Sequence, residues 1–126
     1  MFKLLSPVVA AGCFLLPAVA QADTHSGQFT GASDHITTGG VTVVETADGG
    51  AVLILDSDFS LDGAPDPRVG FGMDGEYTAE ADVGALGELT GLQVYIVPAN
   101  IDAASYNEVY IWCRQFNVPL GVAPLN

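Results

Sequence analysis

The sequence predicts an all-β protein, a single-domain antiparallel β-sandwich or barrel-like fold of about six to eight short strands. Three observations carry this. The 126-residue chain has 15 Gly and 7 Pro scattered between short apolar runs, which leaves few stretches long enough for packed helices. At 49% hydrophobic it still has enough apolar side chain to build a core. The segment "GGVTVVETADGGAVLILDSDF", Gly39 to Phe59, sets two β-branched runs on either side of Asp48, Gly49 and Gly50, a strong hairpin pattern.

Taken in order, a first strand is expected at Gln28 to Thr30. Val41 to Thr46 and Ala51 to Leu55 form the hairpin, apolar at nearly every position, as in central strands packed on both faces. "DSDFSLDGAPDP", Asp56 to Pro67, is turn chemistry throughout. Val69 to Gly72 resumes a short strand before a Gly-rich loop. "LQVYIVPA" and "EVYIWCRQFNVPLGVA" supply two more strands, and between them "NIDAASY" offers Asp102 as the N-cap of one short helical turn. The chain shows no internal repeat and no linker.

Residues Met1 to Ala22 read as a secretory signal peptide: Lys3, an apolar run through Leu15 and Leu16, then Ala20, Gln21, Ala22 as a small-x-small cleavage site. The run is short and broken by Pro7 and Pro17, so it reads as a removable leader and not as a membrane anchor. Lipoprotein processing at Cys13 would strand the apolar segment Phe14 to Ala20 at the new N-terminus. The expected organisation is therefore a leader, 1–22, and one β domain, 23–126, that is periplasmic or secreted. With 15 Asp plus Glu against 3 Lys plus Arg, the net charge is -12, which excludes nucleic acid and anionic membrane surfaces as main partners. Cleavage removes Lys3 and Cys13, leaving Arg68 and Arg114 as the strong bases and Cys113 as one unpaired thiol in an oxidising compartment.

Cys113 sits in "VYIWCRQF", where alternation places Val109, Ile111 and Cys113 on one face and Tyr110, Trp112 and Arg114 on the other. A cysteine there is either a small buried hydrophobe or a thiolate that ligates a group or does redox chemistry. His25, just past the cleavage site, is expected to be mobile. His35 enters the hairpin region as a cap, a loop histidine or a ligand. A blue-copper site has no support, since no His or Met follows Cys113. "GFGMDG", Gly70 to Gly75, has the G-x-G-x-x-G spacing, but Asp74 and Glu76 would repel a phosphate, and it reads as a chance match. Asp56, Asp58, Asp62 and Asp66 crowd one loop without EF-hand spacing and read as solvated turn formers, with calcium the alternative. There is no G-x-S-x-G, no Cys/His pairing in sequence and so no support for a hydrolase.

The order of "GQF" at Gly27, "HITTGGVTV" from His35, "LDSDFSLDGAPDPRVGFG" from Leu55, "LTGLQVYIVPANID" from Leu89 and "YNEVYIWCRQFNVPLGVAPL" from Tyr106 resembles the DM-thirteen domain family. These are small extracellular domains found beside DOMON domains and membrane cytochromes. The resemblance implies extracytoplasmic electron transfer with Cys113 as a naked redox thiol or as ligand to a prosthetic group such as haem, and it makes His35 the second residue of interest. The chain departs from the family's Gly-Pro-Asp loop, having Gly63, Ala64, Pro65 and Asp66. With no DOMON or cytochrome segment in the sequence, the electron partner is expected to be a separate redox protein or membrane cytochrome. A dimer through Cys113 and a non-catalytic surface binding module with a structural cysteine are the competing readings.

Overall fold

The structure, a computed structural model, describes residues 23–126. The leader reading lies outside the described residues. The chain runs β1 (Thr24–Gln28), β2 (Thr30–Gly31), β3 (Thr37–Thr38), β4 (Gly40–Glu45), β5 (Ala51–Leu55), β6 (Ser60–Leu61), β7 (Pro67–Met73), β8 (Glu76–Ala85), β9 (Gln93–Val97), β10 (Glu108–Cys113) and β11 (Val118–Pro124). Two antiparallel sheets form, ordered β1-β4-β5-β9 and β2-β11-β10-β7-β8, with β3 and β6 as a separate ribbon. The sheets do not close into a barrel, so the sandwich form of the expected fold is the one adopted.

The hairpin is where the β-branched residues and the Asp-Gly turn put it. β4 and β5 pair from Val41↔Leu55 to Glu45↔Ala51 and occupy the middle of the four-stranded sheet. It is packed on one face only, however. Val41, Val43, Leu53 and Leu55 are buried, whereas Val44, Val52 and Ile54 are only half covered, and Ile96 on neighbouring β9 is 72% exposed. Near-continuous apolar sequence therefore reflects β propensity here as well as burial.

The core lies between the sheets. Val41, Val43, Leu53 and Leu55 of the first meet Val69, Phe71, Val109, Ile111 and Leu120 of the second. Removing each such side chain from water contributes roughly 1.5–3 kcal/mol. Phe29, between β1 and β2, is buried where the chain leaves one sheet for the other. It packs edge-to-face on Phe59 with ring centroids 5.5 Å apart. The strand expected at Gln28 to Thr30 is thus two strands with a sheet crossing between them.

Three further expectations are corrected. The stretch read as a Gly-rich loop continues into β8, a ten-residue strand whose Glu, Asp and Ala content hides it from a propensity reading. It sits at a sheet edge, where polar residues are favoured because they discourage pairing with another chain. "EVYIWCRQFNVPLGVA" is two strands, β10 and β11, folded on each other around Arg114–Asn117, with Asn117 at φ 55 in place of a turn glycine. The short helical turn is present at Ala103–Ser105, but Asp102 makes no side-chain cap bond to backbone; it accepts from the Ser105 hydroxyl at 2.7 Å instead.

Candidate functional site

Strand alternation along β10 holds. Val109, Ile111 and Cys113 point into the core, and Cys113 is 1% exposed. Its Sγ donates to the carbonyl oxygen of Pro65 at 3.2 Å, a bond that only the thiol form can make. Pro65 lies in the loop 63–66 between Gly63 at φ 115 and Asp66 at φ 47, so two left-handed residues shape the segment that lies over the sulfur. Gly63 adopts that conformation freely, and Asp66 is one of the residue types that tolerates it. A second copy of the chain reaches this sulfur only when the loop over it opens.

The acidic loop is an internal acceptor system. Asp56 accepts from the Thr42 hydroxyl and Asp58 from the Gly40 amide. Asp62 accepts from the Ile36 amide and bonds His35 Nδ1 at 2.9 Å; the amide first, then the imidazole, hold its carboxyl below the usual range. Asp66 takes Arg114 Nε at 2.7 Å. Among the described residues no group of three His, Cys, Asp or Glu side chains is gathered as a metal would need. Each loop carboxylate has a structural partner, which accounts for its presence.

His35 and Cys113 are thus tied to the same loop at different points, His35 through Asp62 and Cys113 through Pro65, and no hydrogen bond joins the two. A haem on Cys113 does not fit this arrangement. The sulfur is enclosed by core residues and by the Pro65 carbonyl, and displacing the loop over it is a precondition for ligation.

His25 is ordered within β1. Its ring bonds the Asn126 carbonyl at 2.9 Å and Glu45 at 3.1 Å, and these, the carbonyl first, raise its pKa above 6.5. Protonated His25 therefore stabilises the fold fully below its unfolded pKa, and that contribution is lost as pH rises through the raised value. His25→Gln should narrow the gap between stability at about pH 6 and at about pH 8.5, read by urea unfolding. An unchanged pH profile would show that the pairing has no energetic weight.

On the opposite face of β10 lies a feature that sequence reasoning missed. A cleft of about 600 Å³ is lined by Arg68, Tyr77, Ala79, Asp82, Trp112, Arg114 and Asn117. Tyr77 and Trp112 stack with centroids 4.3 Å apart, and Tyr110 meets both rings edge-on. Arg68 grips Asp82 through Nε at 3.1 Å and Nη2 at 2.8 Å, while the Tyr77 hydroxyl donates to the same carboxylate at 2.9 Å. Burial first, then Asp82, pushes the Tyr77 hydroxyl pKa up. Burial and the nearby Glu108 push Tyr110 up to about 12.

The glycines of "GFGMDG" explain how the rings fit. A Cβ at Gly70 would stand 2.8 Å from the Tyr77 ring, and one at Gly72 would collide with the Tyr110 ring and the Glu76 carbonyl. β8 also bulges. Gly70 pairs with Asp82 and Gly72 with Tyr77, so residues 78–81 stand opposite Phe71 alone and bring Ala79 to the cleft wall. The motif seats aromatic rings. One signal for the cleft was available in the sequence: both strong bases of the β domain flank its aromatic residues.

The fold is an antiparallel sandwich with Cys113 enclosed in its core and an aromatic cluster on the outer face of the five-stranded sheet. Residues 28–125 match the family model described as Electron transfer DM13, and the chain belongs to that family. No curated protein and no solved structure matches the chain. No helix among the described residues is long and apolar enough to cross a membrane.

Proposed function

We propose that this electron-transfer domain works through Cys113 as a naked thiol, in an exported protein released by cleavage after Ala22. The observation that carries the reading is the bond from Sγ to the Pro65 carbonyl, which gives the domain's single thiol a defined proton position under a polar-latched loop. On oxidation one electron passes from sulfur to a one-electron centre of a separate redox protein or membrane cytochrome, and the S–H proton leaves past the Pro65 carbonyl as the loop opens, so that Cys113 becomes a neutral sulfur-centred radical. Reduction reverses both. His35 and Arg114, bonded to Asp62 and Asp66 at 2.9 and 2.7 Å, hold the loop closed and are positioning residues.

Two measurements test this. Protein purified from its own exported compartment should begin at Asp23 by intact mass and be colourless; a Soret band would replace the naked thiol with haem ligation, and an N-terminus at Cys13 would replace the cleavage site. Native alkylation of Cys113 should be slow and should speed several-fold in His35→Ala, because labelling follows the population of the opened loop. Equal rates in both proteins would remove His35 from the site and favour the structural-cysteine reading, which the place of Cys113 in the core already supports.

A further inference from the structure

We infer that the cleft between Trp112 and Arg114 binds a planar aromatic carboxylate. The chain carries an excess of acidic residues, yet its described part has only two strong bases, and both line this one cleft. Each is paired with a carboxylate, Arg68 with Asp82 and Arg114 with Asp66, so attraction for an anion comes from the guanidinium donors that these pairs leave unused. The two arginines are not equivalent. Arg68 is 19% exposed and committed through two bonds to Asp82, which also holds Tyr77, so it builds the wall. Arg114 is 61% exposed and meets Asp66 by its Nε and Nη2 edge, which leaves Nη1 without a hydrogen-bond partner among the described residues. A guanidinium so placed suits the flat, two-oxygen geometry of a carboxylate.

The rest of the lining supplies the aromatic half of the specificity. Tyr77 and Trp112 are already parallel, with planes 10° apart, so a third flat ring packs against them without rearrangement. Their fixed position comes from Gly70 beneath Tyr77 and from the hydroxyl bond to Asp82. The Asn117 amide, held in the β10–β11 turn, adds a polar group at the Arg114 end. The volume lies within the roughly 300–1,000 Å³ usual for small-molecule sites. Cys113 faces the opposite side of β10, so the sulfur takes no part in this site; Arg114 alone touches both, because it also latches the Pro65 loop through Asp66.

Trp112 is the only tryptophan, so its emission reports on the cleft alone. Para-nitrobenzoate, a planar quencher with one carboxylate, should quench it saturably, while para-nitrobenzyl alcohol should bind about tenfold more weakly, the loss of one charge-assisted pair. Cyclohexane carboxylate, charged but not flat, should compete poorly. Arg114→Gln should weaken para-nitrobenzoate about tenfold. Because that change also frees Asp66, Asn117→Asp provides a second arm: it keeps both arginines, suits a left-handed backbone and should weaken binding by like charge. Cys113→Ala should bind as the unmodified protein does, which separates this site from the thiol reading. The inference is overturned by non-saturating quenching, by equal affinity for acid and alcohol, or by unchanged affinity in both Arg114→Gln and Asn117→Asp.

Discussion

Cys113→Ser should eliminate the domain's redox response while lowering its stability by only about 1–3 kcal/mol. The site is buried, and serine still offers one donor, so the Pro65 carbonyl need not lose its partner. The serine oxygen lies closer to its Cβ than sulfur does, which lengthens that bond, and its hydroxyl is costlier to bury than a thiol. Both effects are small beside the roughly 5–15 kcal/mol of a typical domain. Electron transfer is another matter, since a hydroxyl is not oxidised where a thiol is. Cys113→Ala should cost a similar amount for a different reason, because it leaves the Pro65 carbonyl without a donor. Urea unfolding and redox assays on the same samples separate the two quantities. Loss of redox response only in unfolded protein would make Cys113 a core residue.

Gly72→Val should destabilise the domain by about 3 kcal/mol or more, the upper range for overpacking. The new side chain meets the Tyr110 ring on one side and the backbone carbonyl of Glu76 on the other. A ring can rotate, but the carbonyl is fixed by the β7–β8 turn, where Met73 pairs with Glu76. Displacing Tyr110 also disturbs Tyr77 and Trp112, its edge-on partners. Melting should fall by roughly 10–20 °C and Trp112 emission should shift. A melt within a few degrees of the unmodified protein would show that the ring seat is looser than its geometry implies.

The contrast between these two positions shows what the sequence makes legible. Alternation placed Val109, Ile111 and Cys113 on one shared face of β10, which the structure shows to be the inner one, and the β-branched runs around Asp48 placed β4 and β5, because both patterns are local to the strand. Burial of one hairpin face only was not legible, since Val52 and Ile54 look the same whether the second face is covered or open. β8 was hidden because an edge strand needs few β-branched residues, and the β10–β11 turn because Asn117 adopts the left-handed conformation usually left to glycine. The cleft was hidden for a different reason. Arg68, Tyr77, Asp82 and Arg114 come together through strand pairing and a bulge, neither of which leaves a mark at fixed spacing.

The role of Cys113 is tested most directly by protein-film voltammetry of the mature protein beside its Cys113→Ser variant. The thiol reading predicts a reversible wave in the unmodified protein. Its potential should fall by about 59 mV per pH unit while one proton leaves with each electron. The wave should be absent from the folded variant. A wave that survives in Cys113→Ser, or no wave in either protein, would contradict the assignment of electron transfer to this sulfur.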